Sequence, residues 1–211
     1  MTFISAQPSV VRAIKQRDLL NVWVRLYQRL GHLPCIKDYH PDRIADESSE
    51  MVSYRVHQDG SPQPRFAINR NGNRMASAYG QPSQETDLAE FLGPLRVAAI
   101  MPGYFMCVSR ALPVYTINVV TDANGRTVAC ERLLLPFSDA TPADPADPAK
   151  PGMVTRIIAS LKTICEDGGF EILNLMPDDQ VLAAPTLSAV IDTELHWRGF
   201  GATPANDIQI S

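Results

Sequence analysis

The sequence predicts an α+β fold, on three observations. A helical apolar stripe comes first, with Leu19, Leu20, Trp23, Leu26, Tyr27 and Leu30 recurring at spacings of three and four. Residues 51–57 (Met-Val-Ser-Tyr-Arg-Val-His) then alternate apolar and polar, the pattern of a half-buried strand. Residues 114–121 and 126–136 flank Asp122-Ala123-Asn124-Gly125, a hairpin signal with glycine at the left-handed position.

Taken in order, Ser9 is a candidate cap for a helix reaching Leu30, with Gly31 as its stop and Pro34 just beyond. Asp59-Gly60 is a tight-turn signal after the first strand, and residues 65–69 are the candidate return strand, closed by Asn71-Gly72. A short helix is expected over 74–79, ended by Gly80. Residues 87–112 read as helical, with Leu88, Phe91, Leu92, Leu95, Ala99 and Ile100 on one face. Pro94 and Pro102 are expected to divide that stretch, because proline deletes a backbone donor and clashes with the preceding turn.

Residues 138–152 carry Pro142, Pro145, Pro148 and Pro151 among alanine and aspartate, the composition of a solvated, extended loop. The apolar residues of 153–165 fit a helix and one face of a strand equally well. Past Gly169 come a short apolar run (170–176) and a weak helical pattern over 186–195.

Composition narrows the function classes. Apolar residues make up 45% and charged residues 20% of 211, near globular averages, so a packed core is expected. The net charge is −4 with basic residues scattered, which argues against a nucleic-acid partner, since phosphate contacts leave a clustered basic footprint. No stretch approaches 18 consecutive apolar residues, so no membrane span is expected, and the first ten residues lack the pattern of a signal peptide. The four cysteines (Cys35, Cys107, Cys130, Cys165) are widely spaced, which suits buried thiols in a reducing cytoplasm.

The order helix, two strands, helical middle, hairpin suits several α+β folds, and particular phrases add specificity. Residues 19–23 (Leu-Leu-Asn-Val-Trp) through Leu33-Pro34 resemble the opening helix of the bacterial PAS_5 family of PAS-type sensory domains. Residues 37–44 (Lys-Asp-Tyr-His-Pro-Asp-Arg-Ile) are similar to the phrase that follows it there. Residues 72–80 resemble the family's segment after the second strand, and residues 131–139 (Glu-Arg-Leu-Leu-Leu-Pro-Phe-Ser-Asp) resemble its Leu-Leu-Pro-Leu-Ser-Asp strand end. Asp46 to Glu50 is acidic where the family is apolar, and Arg70 stands where an apolar, pocket-facing residue is commoner.

The resemblance implies a PAS-like domain over 18–165, preceded by a segment 1–17 and followed by an extension 166–211. Its sheet would be five-stranded and antiparallel in the order 2-1-5-4-3, with helices on one face, and 153–165 would be the fifth strand. It implies a cytoplasmic regulatory sensor or interaction module without catalysis, acting through a signalling protein. A purely structural adaptor and a small α+β enzyme are the alternatives. The family's common homodimer, formed through the N-terminal helix, makes Leu19, Trp23, Leu26 and Leu30 the interface candidates. A small molecule held between sheet and helices would draw on Arg70, Tyr79, Met101, Tyr104, Phe105 and Cys107, with Met106 beside them. Arg70 would hold an anionic group by bidentate hydrogen bonds, although an arginine near a turn more commonly faces solvent.

No motif requires a cofactor. His32, His40, His57 and His196 lack the helical spacings of metal sites. Residues 87–112 hold no histidine for haem, leaving only Cys107 as a soft ligand, and buried cysteine is more often a small hydrophobe. The reactive-cysteine phrase of flavin-binding PAS domains is missing. There is no Gly-x-Ser-x-Gly, P-loop or Gly-x-Gly-x-x-Gly, and residues 69–74 (Asn-Arg-Asn-Gly-Asn-Arg) read as turn chemistry. Glu131 and Asp139 are a conceivable acid and base, but an exposed strand face is the plainer expectation.

Overall fold

The computed structural model describes residues 2–42, 47–79, 85–121, 127–139, 153–165 and 182–193. Its elements in chain order are β1 (Ile4–Ala6), α1 (Ile14–Leu30), β2 (Met51–His57), β3 (Arg65–Asn71), α2 (Asn73–Tyr79), α3 (Leu88–Leu92), α4 (Pro94–Arg110), β4 (Val114–Thr121), β5 (Thr127–Phe137), β6 (Arg156–Cys165) and β7 (Leu187–Ile191). The seven strands form one sheet in the order β1-β7-β4-β5-β6-β2-β3. Every neighbouring pair is antiparallel except β1 and β7, which run parallel.

These findings overturn the expected PAS-like sheet of five antiparallel strands in the order 2-1-5-4-3 with helices on one face. The sheet has seven strands and is mixed, because Leu187–Ile191 pairs with β4 and then accepts Ile4–Ala6 as a parallel edge. Residues 186–191, expected as weak helix, are drawn into a strand by this pairing: Ile191 N–H donates to Pro113 O and Thr186 N–H to Ile117 O, each at 2.8 Å. A tertiary ladder satisfies the backbone that local propensity leaves undecided.

Helices cover both faces. Successive side chains of a strand point to opposite faces, and β4 shows the division. Tyr115 Oη accepts from Arg12 N–H at the entrance to α1. Thr116, on the other face, lies under Gly103 of α4, where an added Cβ would stand 3.7 Å from its methyl group. On the α1 face Leu19, Leu20 and Trp23 pack with Tyr115, Leu133, Leu135 and Phe137, all buried. On the α4 face Tyr104 meets Tyr54 edge-on at 5.2 Å and Phe66 at 5.4 Å. Each fully buried side chain of this size contributes about 1.5–3 kcal/mol relative to exposure.

The helix boundaries follow local chemistry in part. α1 starts at Ile14, with Ala13 as a cap lacking any side-chain bond, so Ser9 belongs instead to a separate 3-10 turn over Pro8–Val10. Gly31 ends α1 in the left-handed conformation (φ 70°), its N–H donating to Tyr27 O at 2.8 Å. Asp87 caps α3 through Ala89 N–H. Pro94 opens α4 at its first turn, but Pro102 lies inside that helix without dividing it. The carbonyl orphaned by Pro102 is that of Ala98, an exposed residue, so water can serve it.

The segment 153–165, open between helix and strand on periodicity, holds strand β6, which lies between β5 and β2 and bonds to both. The turn 122–126, the Pro-rich 140–152 and the tail 194–211 lie outside the described residues, as does the apolar run 170–176. Among the described residues, no helix is long and apolar enough to cross a membrane.

Candidate functional site

A 3-10 turn over Ser48–Glu50 leads directly into β2 and sets Glu47 and Glu50 above β6. Lys162 of β6 reaches up between them, donating to Glu47 Oε2 at 2.5 Å and also to Glu50. Lys15, in the first turn of α1, pairs with Glu47 Oε1 at 2.8 Å. Arg74, in the first turn of α2, pairs with Glu50. The five side chains form an alternating chain, Lys15–Glu47–Lys162–Glu50–Arg74, that ties four elements together.

Gly72 makes the last link geometrically allowed. A Cβ at this position would stand 2.4 Å from the carbonyl oxygens of Ser48 and Ser49, and the Gly72 N–H donates to Met51 O at 2.9 Å. Only a residue without a side chain lets α2 start this close to the turn, and so lets Arg74 reach Glu50.

Glu47 is 1% exposed. Burial pushes its carboxyl upward, but hydrogen bonds and charge from Lys15 and Lys162 outweigh burial and hold it below its ordinary value of 4.5. The carboxylate is therefore ionised at neutral pH.

A cleft of about 370 Å3 opens between the start of α1, α2 and β6. Lys15, Arg74 and Lys162 line it with Glu50 as the one carboxylate, and Ile14, Met75 and Leu161 give it apolar surface. A second cleft of about 200 Å3 shares Lys15 but has the opposite balance, with Asp18, Asp42 and Glu47 against Lys15 and Arg25.

Beneath the entrance to α1 lies a buried polar nest. Gln16 Nε2 donates to Ser160 O at 2.9 Å and to Glu131 O at 3.4 Å, and Ala13 N–H donates to Glu131 Oε2 at 3.3 Å. Gln16 Oε1, Glu131 Oε1 and Ser160 Oγ are buried without a hydrogen-bond partner. Tyr115 Oη adjoins the nest, and its phenol is pushed above its ordinary range, by burial first and by Glu131 as well.

The residues singled out from the sequence lie elsewhere. Leu19, Trp23 and Leu26 are buried within the chain and Leu30 is half-buried, so the α1 stripe expected at a dimer interface packs against the chain's own sheet. Trp23 Nε1 even donates to Pro136 O at 2.8 Å. Arg70 is exposed on β3, opposite Ser53 of β2. Tyr79 ends α2, and its side chain lies outside the described residues. Met101, Tyr104 and Cys107 are buried core, while Phe105 is half-buried against Phe66 at 5.8 Å. Burial pushes the Cys107 thiol well above its ordinary range, so it stays protonated and is a poor thiolate ligand.

Glu131 is 1% exposed, against the expectation of an exposed strand face, whereas Asp139 is exposed and pairs with Arg156. Among the described residues no three His, Cys, Asp or Glu side chains converge to hold a metal ion. The ion chain was not anticipated from sequence, although two signals pointed to it. These are the acidic run before β2 and a lysine at 162 within the apolar stretch Ile157–Ile164.

No family model matches the chain, and neither a curated protein nor a solved structure shows significant similarity to it.

Proposed function

We propose that this protein is a regulatory binding module that takes up a small ligand in the cleft between α1, α2 and β6 and passes its occupancy to a signalling partner. The observation that carries this reading is the ion chain around the cleft. Lys15, Glu47, Lys162, Glu50 and Arg74 join α1, the 47–50 turn, β6 and α2. A ligand that engages these side chains competes with the existing pairs, so the turn and α2 shift relative to the sheet. Binding and conformation are then linked by differential affinity for the two arrangements.

The reading places the protein in a reducing cytoplasm, supported by Cys35, Cys107 and Cys130 being buried as thiols. The adaptor alternative draws support from the packing of Met101, Tyr104 and Cys107, which fill the space beside α4 where a sensor ligand was expected.

Native mass spectrometry of protein purified without added ligand, paired with hydrogen exchange before and after ligand removal, tests the choice. The sensor reading expects a co-purified small molecule whose removal speeds exchange across 48–56 and 73–76. A clean polypeptide mass with unchanged exchange in those segments overturns it in favour of the adaptor.

A further inference from the structure

We infer that the ligand of the α1–α2–β6 cleft is an amphiphilic anion, a carboxylate or phosphate headgroup on a short apolar chain. The inference rests on the cleft reading above and names the ligand chemistry.

The ion chain begins and ends on a cation. Those two ends, Lys15 and Arg74, are its accessible members, with side chains 53% and 54% exposed against 2% for Glu47, 13% for Glu50 and 14% for Lys162. Both ends line the same cleft. An entering anion therefore meets two cations whose own carboxylate partners lie deeper, and the planar guanidinium of Arg74 matches a carboxylate or phosphate in geometry.

Beside the cations the cleft is apolar. Ile14 is 68% exposed in the first turn of α1, and Met75 and Leu161 lie behind it. A bare inorganic anion would leave this surface wet, and a neutral hydrophobe would leave the cations unengaged. A volume of about 370 Å3 sits at the small end of the roughly 300–1,000 Å3 range of ligand pockets, which limits the apolar part to a short chain.

Titration with octanoate, octyl phosphate and 1-octanol, followed by backbone amide NMR on the full chain, tests the assignment. The expected result is saturable shifts at Ile14, Lys15, Arg74, Met75 and Lys162 with one or both anions, weakened by salt. The relative affinity of the two anions identifies the headgroup. Lys15→Met and Arg74→Gln should each weaken binding about tenfold, while Arg65→Gln, whose partner is Asp59 outside the cleft, should not. Equal shifts with 1-octanol overturn the anionic headgroup. If none of the three probes shifts these amides while a co-purified molecule still slows exchange at 48–56, the ligand class is wrong and the cleft reading stands. Shifts confined to residues outside the cleft overturn both.

Discussion

On the α4 face of the sheet, Tyr54, Phe66 and Tyr104 meet as an aromatic cluster. On the α1 face, the same β4–β5–β6 ladder carries Tyr115, Glu131, Ser160 and Lys162 among its leucines. Both faces are buried and both are covered by a 17-residue helix. They differ in what replaces water. The α4 face gains mainly from area and ring geometry, with Arg132 and Thr116 as a buried polar pair beside Tyr104. The α1 face depends on hydrogen bonds and ion pairs whose partners come from four elements. A buried polar group costs more when its partner leaves than it contributes when paired. On the reading proposed above, the α1 face, which carries the cleft and the ion chain, is the one that responds to a ligand.

The largest expected effect lies on the α4 face. Phe66→Ala, at a fully buried position between Tyr104 and Phe105, should lower unfolding free energy by about 3–5 kcal/mol in urea titration. It should leave shifts at the cleft unchanged in the folded protein. A loss below about 1 kcal/mol would mean that the two faces do not differ in the way described.

Next comes the bridge between the turn and the sheet. Lys162→Met leaves Glu47 and Glu50 with only their outer partners, Lys15 and Arg74, and should cost about 2–3 kcal/mol at neutral pH. This cost depends on pH in a definite direction. The folded Glu47 carboxyl lies below its ordinary 4.5, so its contribution is present above that value and is lost as pH falls through the depressed folded value. The gap between wild type and Lys162→Met should narrow as pH drops below about 4.5. A gap that stays constant from pH 7 to pH 3 would show that Glu47 gains nothing from Lys162.

The smallest effect is expected in the nest. Glu131→Gln keeps an acceptor for the Ala13 N–H and removes a charge from a nest in which Gln16 Oε1 and Ser160 Oγ lack partners. Stability should change by less than about 1 kcal/mol. A loss of several kcal/mol would show that the charge of Glu131, set directly across from Lys162 in the ladder, is itself structural.

The candidate site was hard to read from sequence for a physical reason. Lys15, Glu47, Glu50, Arg74 and Lys162 span 148 positions of chain and follow no common spacing. Each taken alone is an ordinary surface charge, and only the fold makes Glu47 a buried one. Arg70 stayed open between pocket and solvent for a complementary reason. Alternation along β3 leaves its facing ambiguous near a strand end, and the irregular pairing between Ser53 and Tyr54 shifts the register beside it. The resemblance to PAS domains rested on phrases within 18–165, and those phrases carried no information about Ile4–Ala6 or Leu187–Ile191.

What the sequence determined by itself is local. Local pattern and turn signals marked α1 with its Gly31 stop, the strands at 51–57 and 65–69, and the hairpin strands at 114–121 and 126–136, because each is set by backbone geometry within a few residues. Tertiary structure alone decided that Ile4–Ala6 and Leu187–Ile191 join one sheet, that α1 and α4 take opposite faces, and that the α1 stripe meets the chain's own sheet. An apolar face specifies that something must cover it, but not what does. That choice belongs to long-range pairing, and it also placed two cations at the rim of one cleft.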